Sequence, residues 1–201
     1  MCQQYFFLRH GEVEGDVLMG QRYDAPLSRE GLAQAAAWAD RLKEIPFQVV
    51  ITSPALRARQ TAEALAPPGV PILSLPHFEE VSWGAWEGLP RSQALPLLED
   101  QFRRWAEGQT TWTPPQGESL EMVLKRAQEG LHIVQTLYSM GSVLIVTHGR
   151  LLQVLLCRLM GYPFSELGRF RHRRGELSWA VRLPEGPFYL RALAVRADTP
   201  L

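Results

Sequence analysis

Short apolar runs and longer helical repeats alternate along this chain. The short runs are typical of buried strands and cover residues 5–8, 47–52, 72–75 and 142–147. Apolar residues at helical spacing follow Ser28 and Ser119, and both serines are expected to cap the first turns of their helices. Because strands alternate with helices, we predict an α/β protein with three layers, helix-sheet-helix, around a mostly parallel central sheet.

Four further segments complete the predicted elements. Ser53-Pro54 is expected to open a helix with the proline at its first position. Residues 90–112 have a mixed helical pattern, and residues 177–183 and 188–195 are expected to pair as a terminal hairpin. No repeat or linker divides the chain, so we expect residues 1–201 to form a single domain.

Two of the apolar runs end in a histidine that is followed by glycine and lies beside an arginine. These triplets are Arg9-His10-Gly11 and His148-Gly149-Arg150. A single histidine at the end of a strand is more often structural than catalytic. Parallel strands, however, bring their carboxyl ends to one edge of the sheet, where α/β proteins bind ligands. The two triplets therefore predict one shared site.

Arg57 adds a third basic group to this prediction. It falls in the first turn of the helix that follows Ser53-Pro54, where free N–H groups attract an anion and a guanidinium adds paired donors. A solvated helix face is the alternative for Arg57, and it is the position that we expect for Arg59. The histidines and arginines together indicate an anion site.

The segment Leu8-Arg9-His10-Gly11-Glu12 resembles the signature of the histidine phosphatase superfamily, which includes cofactor-dependent phosphoglycerate mutases and α-ribazole phosphatases. Other segments resemble further family motifs in the family's order; they are Ser53 to Ala62, the acidic aromatic loop at 77–88 and the turn at 113–119. The resemblance extends from Phe6 to about Ser178. It implies the family's fold, with residues 77–118 contributing to a small cap over the carboxyl ends of the strands.

The resemblance also implies roles for individual residues. His10 would attack phosphorus and form a phosphohistidine, while Arg9, Arg57 and His148 would stabilise the phosphoryl oxygens. The register of the acid motif selects Glu80 as general acid and base, and Glu79 is the alternative if the loop is shifted by one residue. We expect the substrate to be bound by Arg9, Arg57, His148, Gly149, Gln21 and Arg22.

Two features depart from this pattern or lie outside it. Asp16 stands where the family has asparagine, so its carboxylate must be turned away from phosphate, paired with an arginine, or protonated. The basic cluster at residues 169–174 is expected to be a solvated charge run. Binding of a second anionic group on the substrate is the alternative for this cluster.

Composition and charge exclude several classes of binding partner. Hydrophobic residues make up 46% of the 201, and 21 basic residues balance 21 acidic ones, so we expect no nucleic-acid binding. No apolar stretch could span a bilayer and no signal-like segment occurs, so we expect no membrane association and a cytoplasmic location. Because carboxylates do not cluster with histidines and no Walker or dinucleotide loop occurs, we expect neither a metal nor a cofactor.

We therefore predict a metal-independent phosphatase that hydrolyses a small phosphorylated metabolite. The chain is shorter than the mutases and lacks their longer insertion, which makes a phosphoglycerate mutase the second choice and a phosphate-binding interaction module the third. We also expect that the chain can form a homodimer. The absence of asparagine and the 15 prolines indicate a thermophilic source, whereas the excess of arginine over lysine would also follow from GC-rich codon usage.

Overall fold

A computed structural model describes residues 2–184 and 186–199 of the protein. Its strands are β1 (Gln3–Arg9), β2 (Phe47–Thr52), β3 (Ile72–Ser74), β4 (Gly141–Thr147), β5 (Leu177–Arg182) and β6 (Phe188–Val195). They form one sheet in the order β3-β2-β4-β1-β5-β6. The first four strands pair in parallel, and β5 and β6 add an antiparallel hairpin beside β1. The predicted mostly parallel sheet is confirmed.

The helices are α1 (Arg29–Leu42), α2 (Leu56–Leu65), α3 (Arg91–Ala106), α4 (Leu120–Leu137) and α5 (Gly149–Leu159). The predicted caps are present, because the hydroxyl oxygens of Ser28 and Ser119 accept hydrogen bonds from backbone N–H groups in the first turns of α1 and α4. None of the described helices is long and apolar enough to cross a bilayer.

The predicted start of α2 was wrong by two residues. Pro54 lies in a bend before the helix, and Ala55, with extended backbone geometry, precedes the first helical residue, Leu56. The hydroxyl of Ser53 accepts a hydrogen bond from the backbone N–H of Ala55 at 3.2 Å, so the serine and proline form a turn that leads into the helix. Arg57 still falls in the first helical turn.

Alternate side chains of β1 belong to two separate cores. Tyr5 and Phe7 pack with α3, α4 and α5 on one face of the sheet, whereas Phe6 and Leu8 pack with α1 and α2 on the other. All four side chains are almost completely buried. Successive residues of a strand point to opposite faces, so this pattern produces the three layers that the sequence predicts.

Replacement of a core leucine tests this packing. Leu144 in β4 is fully buried among α1 and α2 side chains, so Leu144→Ala should lower the free energy of unfolding by about 2 to 5 kcal/mol through lost burial and a new cavity. Leu137→Ala is the control, because Leu137 at the end of α4 is 63% exposed. Urea denaturation measures both variants, and equal losses would contradict the assigned core.

Candidate active site

Parallel pairing of β1 with β4 places the two predicted histidines side by side. Arg9 is paired with Thr147, and the backbone N–H of His10 donates to the carbonyl of Thr147 at 2.9 Å. The rings of His10 and His148, which follow these strand ends, have centroids 5.2 Å apart. The structure therefore brings the two triplets into one site, at the carboxyl edge of the sheet.

His10 is held with one ring nitrogen free. Its Nδ1 lies 2.8 Å from the carbonyl oxygen of Gly11, and since a carbonyl can only accept, Nδ1 carries the proton. Burial lowers the pKa of His10 well below its ordinary value of 6.5, and the positive charges of Arg57 and Arg9 lower it further. The imidazole is therefore neutral near pH 7, with a lone pair on Nε2.

His148 lies behind His10, outside the wall of the neighbouring cavity. It is completely buried, and its Nε2 lies 2.9 Å from the hydroxyl of Ser53. Its Nδ1 has no hydrogen-bond partner within the described ranges. Burial and the charge of Arg57 lower the pKa of His148 well below 6.5, so this ring is also neutral.

Arg57 enters the site from the first turn of α2. Its side chain is only 2% exposed, with Nη1 2.7 Å from the carboxylate of Asp24 and Nη2 3.0 Å from the carbonyl of Gly20. The alternative of a solvated helix face is therefore wrong for Arg57. Arg59, two residues later, is exposed as predicted.

Arg9 has a guanidinium with a free donor. Its Nη1 donates to the carbonyl of His172 at 2.7 Å, while its buried Nε has no partner among the residues that the structure describes. Burial lowers the pKa of Arg9 to about 10, and the carboxylate of Glu80 opposes that shift. Arg9 therefore remains a cation at neutral pH and can donate to an anion.

Glu80 occupies the position that the acid motif predicts. Its Oε1 accepts hydrogen bonds from the N–H groups of Val81 and Leu151 at 3.0 and 3.1 Å, and its Oε2 accepts from that of Arg150 at 3.2 Å. Two of these donors lie in the first turn of α5. Glu80 lines the cavity beside His10, whereas Glu79 does not, so the unshifted register is the one that the structure supports.

The cavity at this edge has a volume of about 130 Å³ and is strongly cationic. Glu80 is the only carboxylate among the described residues in its wall. Six arginines also line it; they are Arg9, Arg57, Arg91, Arg150, Arg171 and Arg174. Apolar side chains from the loop at 17–19 and from α3 complete the wall. Such a charge balance favours a small anionic ligand.

Besides His148, two of the predicted binding residues, Gln21 and Arg22, lie away from the cavity wall. The side-chain amide of Gln21 donates to the carbonyl of Glu80 and to the carboxylate of Glu118, at 3.0 and 3.1 Å. Arg22 is exposed, and its Nη1 lies 3.4 Å from the side-chain oxygen of Gln116. Gly149, in contrast, lines the cavity as predicted.

The structure also resolves the two open questions of the sequence. Asp16 is exposed and lies outside the cavity wall, so its carboxylate is turned away from the anion site. The basic cluster at 169–174 is only partly solvated, because Arg171, His172 and Arg174 all line the cavity. Arg174 forms an ion pair with Glu12. Arg171 is exposed although it lines the cavity, so the prediction of a solvated charge run was wrong for His172, which is buried, and for Arg174, which is half-buried.

Sequence reasoning assigned no binding role to Arg91 and Arg150, which also line the cavity. Arg150 directly follows the second His-Gly pair, and that proximity is a signal that could have identified it. Within residues 2–184 and 186–199, no group of three or more His, Cys, Asp or Glu side chains is placed to hold a metal ion.

Comparison with known proteins identifies the family. Residues 5–194 match the Histidine phosphatase superfamily (branch 1). The adenosylcobalamin/alpha-ribazole phosphatase of Salmonella typhimurium (strain LT2) is 29% identical over 195 residues, which are 96% of each chain. A relative from Proteus mirabilis, named a probable phosphoglycerate mutase, is 31% identical over 183 residues, covering 87% of this chain and 83% of the relative.

Solved structures have the same fold. The alpha-ribazole phosphatase from Shigella flexneri superposes with a TM-score of 0.82 at 25% identity, covering 98% of this chain and 99% of that one. A mycobacterial glucosyl-3-phosphoglycerate phosphatase superposes with a TM-score of 0.84 at 22% identity, covering 97% and 100% of the two chains. Because the family match extends over nearly the whole sequence, this chain belongs to the histidine phosphatase superfamily.

Proposed function

We propose that this protein hydrolyses small phosphomonoesters through a phosphohistidine on His10, without a metal ion. The proposal rests on the environment of His10. Its ring is neutral with a free Nε2, and it lines a cavity whose wall contains six arginines. A neutral imidazole is a nucleophile, and surrounding guanidinium groups stabilise a transferring phosphoryl group. Relatives named as phosphatases support the choice of reaction.

In the first step, the lone pair of His10 Nε2 attacks phosphorus and the bond from phosphorus to the ester oxygen breaks. Arg9 and Arg57 stabilise the charge on the phosphoryl oxygens as it develops. Glu80, which lines the same cavity and enters this step in its protonated form, donates that proton to the leaving oxygen, and the alcohol departs. The products of this step are the free alcohol, phosphohistidine and the Glu80 carboxylate.

In the second step, water attacks the phosphohistidine. Glu80 accepts the proton of the water, the phosphorus–nitrogen bond breaks, and its electron pair returns to His10 Nε2. Inorganic phosphate leaves, and both residues regain their starting forms. Because Nδ1 donates to Gly11 throughout, the ring keeps the orientation and tautomer that the next attack requires.

Gly149 supports this chemistry by leaving room for Arg9. A Cβ at position 149 would lie 2.8 Å from Arg9 Cζ and 2.9 Å from its Nε. These distances are shorter than van der Waals contact, so any larger residue would displace the guanidinium. The predicted contribution of Gly149 to substrate binding is therefore steric.

A phosphoglycerate mutase is the second candidate, because a relative that is 31% identical is named as one. A mutase and a phosphatase share the phosphohistidine and differ in the group that accepts the phosphoryl. Phosphate release indicates a phosphatase, and isomerisation of 3-phosphoglycerate primed with 2,3-bisphosphoglycerate indicates a mutase.

The direct test of the proposal is the His10→Ala variant. Wild type should hydrolyse para-nitrophenyl phosphate in EDTA, and loss of the nucleophile should lower kcat/KM by about 10,000-fold or more. Mass spectrometry of alkali-quenched wild type should show a phosphoryl group on His10. Arg59→Ala, on the exposed face of α2, should retain wild-type turnover. Phosphate binding without turnover or phosphoenzyme would instead indicate a binding module.

The pH dependence of His10 provides a second test. Because burial and nearby arginines favour the neutral ring, His10 should remain unprotonated as the pH falls through 6.5 and should protonate only well below it. An NMR titration of the free enzyme, with the signal assigned by its absence in His10→Gln, measures this directly. A midpoint at or above 6.5 would contradict the assigned electrostatics.

Gly149→Ala tests the positioning of Arg9. The added methyl group should shift the guanidinium and lower kcat/KM by about 10- to 100-fold, the loss expected when a substrate-orienting group moves by about 1 Å. Gly168→Ala is the matched control, since a Cβ there would meet no atom within 4 Å. Steady-state kinetics measure both variants, and equal kcat/KM values for the two would contradict the steric role of Gly149.

A further inference from the structure

Four of the six arginines in the cavity wall form no ion pair with a described carboxylate: Arg9, which the proposed reaction assigns to the phosphoryl group, and three others. Arg57 pairs with Asp24 and Arg174 with Glu12, whereas none of Arg91, Arg150 and Arg171, here called the arginine trio, forms an ion pair with any described carboxylate. All three line the same cavity. Arg150 is half-buried, whereas Arg91 and Arg171 are exposed and water screens part of their charge; an anion between the three guanidinium groups would be attracted by all of them.

Arg150 is the most firmly held member of the trio. Its guanidinium carbon lies 3.9 Å from the ring centroid of Phe102, and its Nη1 donates to the side-chain oxygen of Gln153 at 2.8 Å. Gln153 in turn donates to the carbonyl of Leu167 at 2.7 Å. The stacking and the hydrogen bond fix the guanidinium. Among its three nitrogens, only Nη1 has a partner in the described part of the chain.

The electrostatic environment of Arg150 agrees with this geometry. Burial lowers its pKa to about 10, the carboxylate of Glu80 opposes the shift, and Arg171 and Arg91 add to it. The group is still a cation at neutral pH, but it has lost much of its hydration. A desolvated cation whose nearest charged neighbours include two further cations is a strong site for anionic oxygens.

Arg150 lies on the side of the cavity where the leaving group departs in the proposed reaction, and the charges of Arg171 and Arg91 act on it. Arg150 donates its backbone N–H to Glu80, the residue that protonates the leaving oxygen in the proposed reaction. Arg9 and Arg57, whose charges act on His10, are the groups assigned to the phosphoryl oxygens. A single phosphate group bound by Arg9 and Arg57 would therefore leave the arginine trio without a ligand.

We propose that the arginine trio binds a second anionic group, a carboxylate or a phosphate, on the alcohol part of the substrate. The inference rests on the proposed phosphatase activity and specifies its substrate class. The substrate is a small phosphomonoester with two anionic ends, of which His10 attacks one and Arg91, Arg150 and Arg171 hold the other.

Matched pairs of esters test the proposal. 3-Phosphoglycerate and glycerol 3-phosphate differ by a carboxylate in place of a hydroxymethyl group, and 1,3-propanediol bisphosphate and monophosphate differ by a second phosphate. Wild type should prefer the doubly anionic member of at least one pair by about 10- to 100-fold in kcat/KM, as expected for charged hydrogen bonds. The preferred pair identifies the group. Equal kcat/KM values within both pairs would overturn the proposal.

Variants assign the preference to the trio. Arg150→Met keeps an unbranched apolar stem that can still contact Phe102 but removes the guanidinium and its charge, so it should abolish most of the preference; Arg171→Met serves if that variant fails to fold. Arg158→Met, an exposed arginine on the same helix, should retain the wild-type preference. An unchanged preference in the folded trio variants would overturn the assignment.

Binding measurements separate this proposal from the proposed function. Isothermal titration calorimetry of the same esters in the His10→Ala background reports the preference without turnover. A preference that Arg150→Met removes supports the trio even if wild type forms no phosphohistidine. Equal binding of both members of each pair overturns the second anion site, even if wild type hydrolyses para-nitrophenyl phosphate.

Discussion

The parallel register of β1 with β4 is the constraint on which the rest of the site depends. Both histidines follow directly after paired strand ends, so the register that aligns Arg9 with Thr147 also determines the distance between the two rings. A slip of one residue would exchange Tyr5 and Phe7 with their neighbours between the two faces of the sheet, and both cores would be disrupted. Burial of apolar side chains far from the cavity thus maintains the geometry of the nucleophile.

Buried positive charge is the second determinant of the site. Arg57 is almost inaccessible to water, and its charge contributes to the low pKa values of His10 and His148. The guanidinium that we propose to stabilise a phosphoryl group therefore also helps to keep the His10 imidazole neutral. Asp24 compensates for part of this charge, since an unpaired guanidinium at such depth would destabilise the fold. The positive charge of Arg57 thus favours both the binding of an anion and a free lone pair on His10 Nε2.

Much of this arrangement could be predicted from the sequence, because it depends on local periodicity. Apolar runs of strand length predicted the sheet, and the two His-Gly pairs at their ends predicted a shared site. The choice of Glu80 over Glu79 came from the family resemblance, since composition alone does not establish the register of a loop. The structure supports that choice through the three backbone donors to its carboxylate.

The remaining features depend on contacts between distant segments, which local patterns do not reveal. Arg91 comes from α3, Arg150 from α5 and Arg171 from the segment after them, and only the fold brings them to one cavity. Gln21 and Arg22, in the polar loop that follows the first motif, were expected to bind substrate. In the structure, the backbone N–H groups of both residues donate to the carboxylate of Glu87. The side chain of Gln21 donates to Glu80 and Glu118, and that of Arg22 lies beside Gln116.

The backbone and the side chain of residue 150 have separate roles in the proposed reaction. The acid is held by the backbone N–H of this residue, which every amino acid except proline provides. In our proposal, the charge that faces the alcohol belongs to its side chain alone. Substitution at this position can therefore change which alcohols are accepted while the proton donor stays anchored to the same helix. If the proposed roles hold, substrate range can change at the residue beside the second histidine of this protein while the acid keeps its position.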